Sequence, residues 1–203
     1  MAKTPEQSLD EMPIKIMVLG NSAVGKTSFI LKYTENTFQE VHLSTMGIDY
    51  KEKHIIIEGK KYRLSVYDTT GQERYKSLAF SLIKNTDGII LIYDVTNESS
   101  FKAVPDWIQS AREKKGENYP MIILGNKIDL EDERKVKTED GEELAQKYGL
   151  DFYEISNKEN VNIENAILTL VKKILVYIEQ NGKKEINSLI TTQTFKKRKK
   201  KIC

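Results

Sequence analysis

The chain has 203 residues and a net charge of +2, with 39% hydrophobic and 31% charged residues, which is typical of one soluble globular domain. No apolar run approaches the ~20 residues that a transmembrane helix needs, and residues 1–12 lack the apolar segment of a signal peptide. The only cysteine is Cys203, the last residue, which excludes an intramolecular disulfide and suits a cytosolic setting.

Strand-like and helix-like segments alternate through residues 13–180, between a flexible leader at 1–12 and a tail at 181–203 that we expect to be disordered. The predicted strands are 14–19, 48–57, 61–67, 88–93, 121–124 and 152–155, and the predicted helices are 26–35, 98–114, 138–148 and 162–180. This alternation predicts an α/β fold, a doubly wound and mostly parallel six-stranded sheet. The turn at Glu58-Gly59-Lys60 predicts a hairpin and hence one antiparallel edge strand.

The segment from Gly20 to Thr27 fits the phosphate-loop pattern G-x-x-x-x-G-K-[S/T]. It lies between a predicted strand and a predicted helix, an arrangement that directs backbone N–H groups and a helix N-terminus at one anion. The strand before it and the helix after it argue against a chance glycine turn. We expect Lys26 to reach the β- and γ-phosphates and Thr27 to ligate Mg²⁺. The residues expected around the phosphates are Ser22, Ala23, Val24, Gly25, Lys26, Thr27 and Ser28.

A second motif, Asp68-Thr69-Thr70-Gly71-Gln72-Glu73, follows the strand that ends at Tyr67. A carboxylate at a strand end can hold Mg²⁺, usually through water, which predicts a metal role for Asp68. The N–H of Gly71 could contact a γ-phosphate, and Gln72 could orient an attacking water molecule. Alone, this motif would be interpreted as an ordinary turn. The phosphate loop upstream favours a Mg²⁺ and γ-phosphate site instead.

The segment Asn126-Lys127-Ile128-Asp129 follows another buried strand. Asp129 could accept two hydrogen bonds from guanine, at N1–H and at the exocyclic amine, whereas adenine lacks this pair of donors. Ser156-Asn157-Lys158 follows the strand 152–155 and would complete the base pocket through backbone N–H donors. The ligand is therefore predicted to be a guanine nucleotide, which disfavours an ATPase or a small-molecule kinase.

With these four motifs in this order, residues 13–180 resemble the Ras-superfamily small GTPases, and most of all the Rab branch. The branch is indicated by the segments 45–50, 68–75, 92–96 and 125–130. The resemblance implies the P-loop NTPase fold of the small G proteins. It also implies a switch between GTP and GDP forms that regulates vesicle trafficking, with slow intrinsic hydrolysis.

The resemblance also assigns roles to individual residues. Thr45 would ligate Mg²⁺ and sense the γ-phosphate, and Phe38 would stack on the guanine. Gln72, Lys26 and Gly71 would act in hydrolysis. An exchange factor, a GTPase-activating protein and effectors would bind through residues 38–50 and 69–82.

Several residues depart from the family pattern. Asn157 replaces the usual alanine of Ser-Ala-Lys, and Thr70 replaces the usual alanine before the glycine. Tyr50, Tyr67 and Leu82 stand where effectors often read Phe, Trp and Tyr. These departures keep an alternative open, a nucleotide-dependent binding module with little hydrolysis and atypical effectors.

The end of the chain combines the basic run from Lys196 to Lys201 with Cys203. Removing the six positive charges of this run from the total of +2 leaves −4 for the other residues up to 195. Each basic residue can add about 1 kcal/mol of attraction to an anionic membrane, which would support a single lipid on Cys203. We expect reversible association with the cytosolic face of an intracellular membrane and no nucleic-acid partner. The alternatives are a solvated tail or a nuclear-localisation-like patch.

Overall fold

The computed structural model describes residues 11–38, 48–69 and 83–199. The strands are β1 (Met12–Leu19), β2 (Ile48–Ile57), β3 (Lys60–Thr69), β4 (Gly88–Asp94), β5 (Met121–Asn126) and β6 (Asp151–Ile155). The helices are α1 (Lys26–Glu35), α2 (Glu98–Lys102), α3 (Val104–Lys115), α4 (Thr138–Tyr148) and α5 (Ile163–Lys199).

The six strands form one sheet in the order β2-β3-β1-β4-β5-β6. Only β2 is antiparallel, and it pairs with β3 across the predicted hairpin. The other neighbouring strands are parallel. This topology confirms the predicted fold. Because β1, β3, β4, β5 and β6 run in one direction, the motifs that follow their carboxyl ends lie along one edge of the sheet.

Helices cover both faces of the sheet, and β1 shows how the sequence encodes this. Ile14, Ile16 and Val18 of β1 pack into a cluster with α1 and α5, whereas Met17 and Leu19 face a second cluster with α3 and α4. Every residue of β4 is buried, since this strand lies in the middle of the sheet and is covered on both sides.

The predicted helix 98–114 is two helices, α2 and α3, that meet at Ala103. Asn97 caps α2, because its Oδ1 accepts hydrogen bonds from the N–H groups of Ser99 (3.0 Å) and Ser100 (3.3 Å). Pro105 lies in the first turn of α3, where a backbone N–H would have no helical partner, so its absence is not unfavourable. In the interior of a continuous helix the missing N–H would remove a hydrogen bond, so Pro105 disfavours one helix running from α2 into α3. The proline explains the break that apolar spacing alone did not predict.

The last helix differs from its predicted end. Its buried residues include Ile167, Leu170 and Ile174, as the apolar spacing indicates. Its backbone remains helical to Lys199, where we had expected a disordered tail from 181. No proline follows residue 163, so nothing in the sequence blocks the helical hydrogen bonds. In the described part of the chain, no helix combines the length and hydropathy needed to cross a bilayer. The division into leader, domain and tail stays a prediction.

Candidate functional site

The phosphate loop joins β1 to α1 and has a backbone that demands glycine at two positions. Gly20 (φ +147°) and Gly25 (φ +95°) lie in the region that side chains disfavour. A Cβ on Gly20 would collide with the carbonyl oxygen of Ile92, and a Cβ on Gly25 would collide with the side-chain amide of Asn126. Both glycines of the motif are therefore required by close approach as well as by backbone conformation.

The loop is held from outside by three side chains. The Nδ2 of Asn126 donates to the carbonyl oxygen of Val24 (2.8 Å), and the Nδ2 of Asn157 donates to that of Gly25 (3.0 Å). On the other side, Nε1 of Trp107 in α3 donates to Oδ1 of Asn21 (3.1 Å). Residues from the ends of β5 and β6 and from α3 thus hold the loop in place.

Lys26 begins α1 and is only 6% exposed. Its ammonium group donates to the carbonyl oxygen of Asn21 (2.7 Å), so it folds back over the loop. Burial lowers the pKa of Lys26 to about 8, although the nearby Asp68 carboxylate acts in the opposite direction. A buried cation held inside the loop is well placed to interact with a polyphosphate.

Thr27 and Asp68, two of the predicted Mg²⁺ ligands, lie next to each other. The Thr27 hydroxyl donates to Oδ2 of Asp68 (2.7 Å). The end of β3 is fixed against β1, because Oγ1 of Thr69 donates to the carbonyl oxygen of Val18 (2.7 Å). A hydroxyl and a carboxylate beside a phosphate loop are hard oxygen ligands of the kind Mg²⁺ takes together with substrate phosphates, so these residues fit the metal.

The base-side residues are also ordered by contacts between loops. Oδ1 of Asp129 accepts a hydrogen bond from the Ser156 hydroxyl (2.6 Å), which orients the carboxylate. Lys127 (φ +71°) pairs with Oδ2 of Asp94 (2.6 Å). Oδ1 of that aspartate accepts from both the N–H and the hydroxyl of Thr96 (2.8 and 2.7 Å). The base-side loops are therefore held in place from β4 as well as by each other.

The structure brings most of the predicted site residues to the same edge of the sheet. The segments 20–28, 126–129 and 156–158 lie at the carboxyl ends of β1, β5 and β6, and Asp68 lies near the end of β3. Phe38 is the last residue of the described range 11–38, and it is 37% exposed. Thr45, Thr70, Gly71, Gln72, Leu82 and Cys203 lie outside the described residues.

Sequence reasoning did not find the side-chain contacts that hold the site together. The motif predicts backbone donors at Ser156-Asn157-Lys158, whereas the Asn157 side chain itself donates to the phosphate loop. The Trp107–Asn21 contact joins residues 86 positions apart, and no local motif signals it. The departure from the usual alanine at 157 was the one signal that could have pointed to a new contact.

Comparisons with known proteins agree with this geometry. A sequence model of the Ras family matches residues 15–176. The Ras-related protein Rab-3B of Homo sapiens is 43% identical over 169 residues, which cover 83% of this chain and 77% of the relative. Rab-3A of Homo sapiens is 41% identical over 172 residues (85% and 78%), and Rab-3C of Bos taurus is 41% identical over 166 residues (82% and 73%). The chain therefore belongs to the Ras family and is a Rab-like small GTPase, an enzyme that hydrolyses GTP to GDP and phosphate.

Proposed function

We propose that this GTPase is a molecular switch of vesicle traffic whose GTP form binds effectors. The proposal rests on hydrogen bonds that join the loops predicted to bind the base to the loop predicted to bind the phosphates. Asn126 and Asn157, from the loops predicted to bind guanine, hold the carbonyl groups of the loop predicted to bind phosphate. A γ-phosphate would hold Thr45 and Gly71 of the two switch segments, and hydrolysis would release them.

At the phosphate end, Lys26 would stabilise the negative charge that develops as water attacks the γ-phosphorus and GDP leaves. Gln72 would orient that water, and the N–H of Gly71 would contact the γ-phosphate. Thr27, Thr45 and Asp68 would hold Mg²⁺, which when bound neutralises charge on the β- and γ-phosphate oxygens. No arginine lies between residues 36 and 50, so intrinsic turnover should be slow and an activating protein should supply one. For Ras, an activating protein that supplies an arginine accelerates GTP hydrolysis about 10⁵-fold.

At the base end, Asp129 selects guanine, because its carboxylate matches the paired donors of that base. The test is calorimetric titration of the nucleotide-free protein with GDP and with ADP in the presence of Mg²⁺. We expect binding of GDP alone in the measurable range. Equal affinities for the two nucleotides would contradict the guanine assignment.

Hydrolysis is tested separately from binding. Replacing Gln72 with Leu should slow single-turnover GTP hydrolysis while leaving GDP affinity within about twofold, because only the attacking water loses its partner. A Gln72→Leu protein that hydrolyses GTP at the wild-type rate would remove Gln72 from the mechanism.

Effector selection depends on a surface that differs from the usual Rab pattern. The rings of Tyr50 and Tyr67 lie 5.4 Å apart, and Tyr50 is 52% exposed. Two phenols make this surface more polar than the usual Phe and Trp. We propose effectors that hydrogen-bond to these tyrosines, and capture by the Gln72→Leu protein with GTP, compared with its Tyr50→Phe derivative, tests this. Equal capture by both proteins would contradict it.

The tail would attach the GTPase to the cytosolic face of an intracellular membrane through one prenyl group on Cys203 and the basic run before it. Mass spectrometry of the native C-terminus measures the lipid directly. An unmodified Cys203 in protein isolated from membranes would contradict this anchoring.

A further inference from the structure

The side chain of Asn157 forms a contact that the usual alanine could not form. Asn157 lies in the loop after β6 and is 3% exposed. Its Nδ2 donates to the carbonyl oxygen of Gly25, while its Oδ1 is buried with no hydrogen-bond partner among the described residues. The amide therefore uses its donor on the phosphate loop and leaves its own acceptor unsatisfied.

The carbonyl that Asn157 holds is also the start of α1, because Gly25 accepts the first helical hydrogen bond from the N–H of Phe29 (2.9 Å). The preceding carbonyl, of Val24, is held by Asn126 (2.8 Å). Two amides thus bind successive carbonyls on one side of the loop. A Cβ on Gly25 would lie 2.9 Å from Nδ2 of Asn157, so the backbone and the amide are in close contact.

A packing role alone does not account for this arrangement. Filling the space would not require a buried amide, and burying a polar atom without a partner is unfavourable. The hydrogen bond spans 132 residues of sequence and connects the loop predicted to bind the base with the loop predicted to bind the phosphates. If either loop moves away from a bound nucleotide, the Asn157–Gly25 hydrogen bond must break or the other loop must move with it.

We infer that Asn157 is a positioning residue that couples the base-binding and phosphate-binding loops and so slows the release of bound nucleotide. The inference rests on the guanine-nucleotide function proposed above. It gives this chain an intrinsic brake on exchange, so its exchange factor must open the Asn157–Gly25 contact.

The experiment measures release of fluorescent GDP into excess unlabelled GDP, with Mg²⁺ present, for full-length wild type and three variants. Asn157→Ala removes the bridge, and we expect release about fivefold faster, the size of one hydrogen bond. Asn157→Leu keeps the branching shape of the side chain but has no donor for the Gly25 carbonyl, so release should be about as fast as from Asn157→Ala. Asn160→Leu makes the same change on an exposed residue of the same loop and should change the rate by less than about twofold.

The order of the rates separates coupling from packing and from a general disturbance of the loop. A packing role predicts near-wild-type release for Asn157→Leu, and a general disturbance of the loop predicts equal rates for Asn157→Leu and Asn160→Leu. Either result, or wild-type release from Asn157→Ala, would overturn the inference while the guanine-nucleotide function stands. A wild-type protein that fails to bind GDP at all would overturn the function and the inference together.

Discussion

Raising the pH is expected to weaken nucleotide binding through a single buried group, Lys26. In the free protein, burial lowers its pKa from 10.5 to about 8. A bound polyphosphate favours the charged ammonium and raises the pKa again. Binding at high pH must therefore include uptake of a proton by Lys26, which costs affinity.

The size of the effect follows from the fraction of free protein that carries the proton. With a pKa of about 8, that fraction is about nine in ten at pH 7 and about one in ten at pH 9. GDP affinity should therefore fall about tenfold between these pH values, or about 1.4 kcal/mol, if Lys26 remains protonated in the complex.

The assay is calorimetric titration with GDP across this pH range, for wild type and for Lys26→Met. The variant has a similar length but no charge, so its pH profile contains only the titration of the ligand and of other groups. The ratio of wild-type to variant affinity should fall about tenfold between pH 7 and pH 9. A constant ratio over the whole range would show that Lys26 does not titrate there and would refute the reasoning.

Three further predictions concern packing and charge around the site. Gly25→Ala should lower GDP affinity, measured by calorimetry, at least about tenfold, because the new Cβ displaces the side-chain amides of Asn126 and Asn157. Gly59→Ala is the control, since Gly59 also has a positive φ (+76°) but lies in open space. This control should cost only about 1 kcal/mol of stability and leave GDP affinity unchanged. Asp129→Ala should reduce GDP affinity about 100-fold in a competition assay, since two hydrogen bonds to a charged acceptor are lost, and an unaltered preference for GDP over ADP would be inconsistent with its role. Arg134→Met should cost about 3 kcal/mol in urea unfolding, because the Glu154 carboxylate, whose side chain is only 15% exposed, loses its positive partner and keeps only the Thr138 hydroxyl as a donor among the described residues. Adding Glu154→Leu should recover most of the loss, and no recovery would argue against the pair.

The fold was predictable because the apolar pattern within each strand indicates which of its faces are buried. The alternation in β1 and the uninterrupted apolar run of β4 each indicate how many faces are covered. The break between α2 and α3 was missed because apolar spacing continues across it, and only Pro105 signals a new start. The continuation of α5 to Lys199 was missed because its polar end has no apolar period.

The site was predictable to the extent that its residues form short motifs at strand ends. Lys26, Thr27, Asp68 and Asp129 all follow from such motifs and from where parallel strands end. The contacts of Asn21 with Trp107 and of Gly25 with Asn157 were not predictable, because they depend on the three-dimensional approach of loops far apart in sequence.

The hydrogen bonds from Asn126 and Asn157 to the phosphate loop span 102 and 132 residues and have a consequence for synthesis on the ribosome. The amino-terminal part of the chain carries the whole phosphate loop, yet the partners that fix it are translated much later. A nascent chain cannot assemble the binding site until β6 and the loop after it have emerged and paired with β5. Because a ligand stabilises only the state that binds it, nucleotide can stabilise only chains that have completed their sheet.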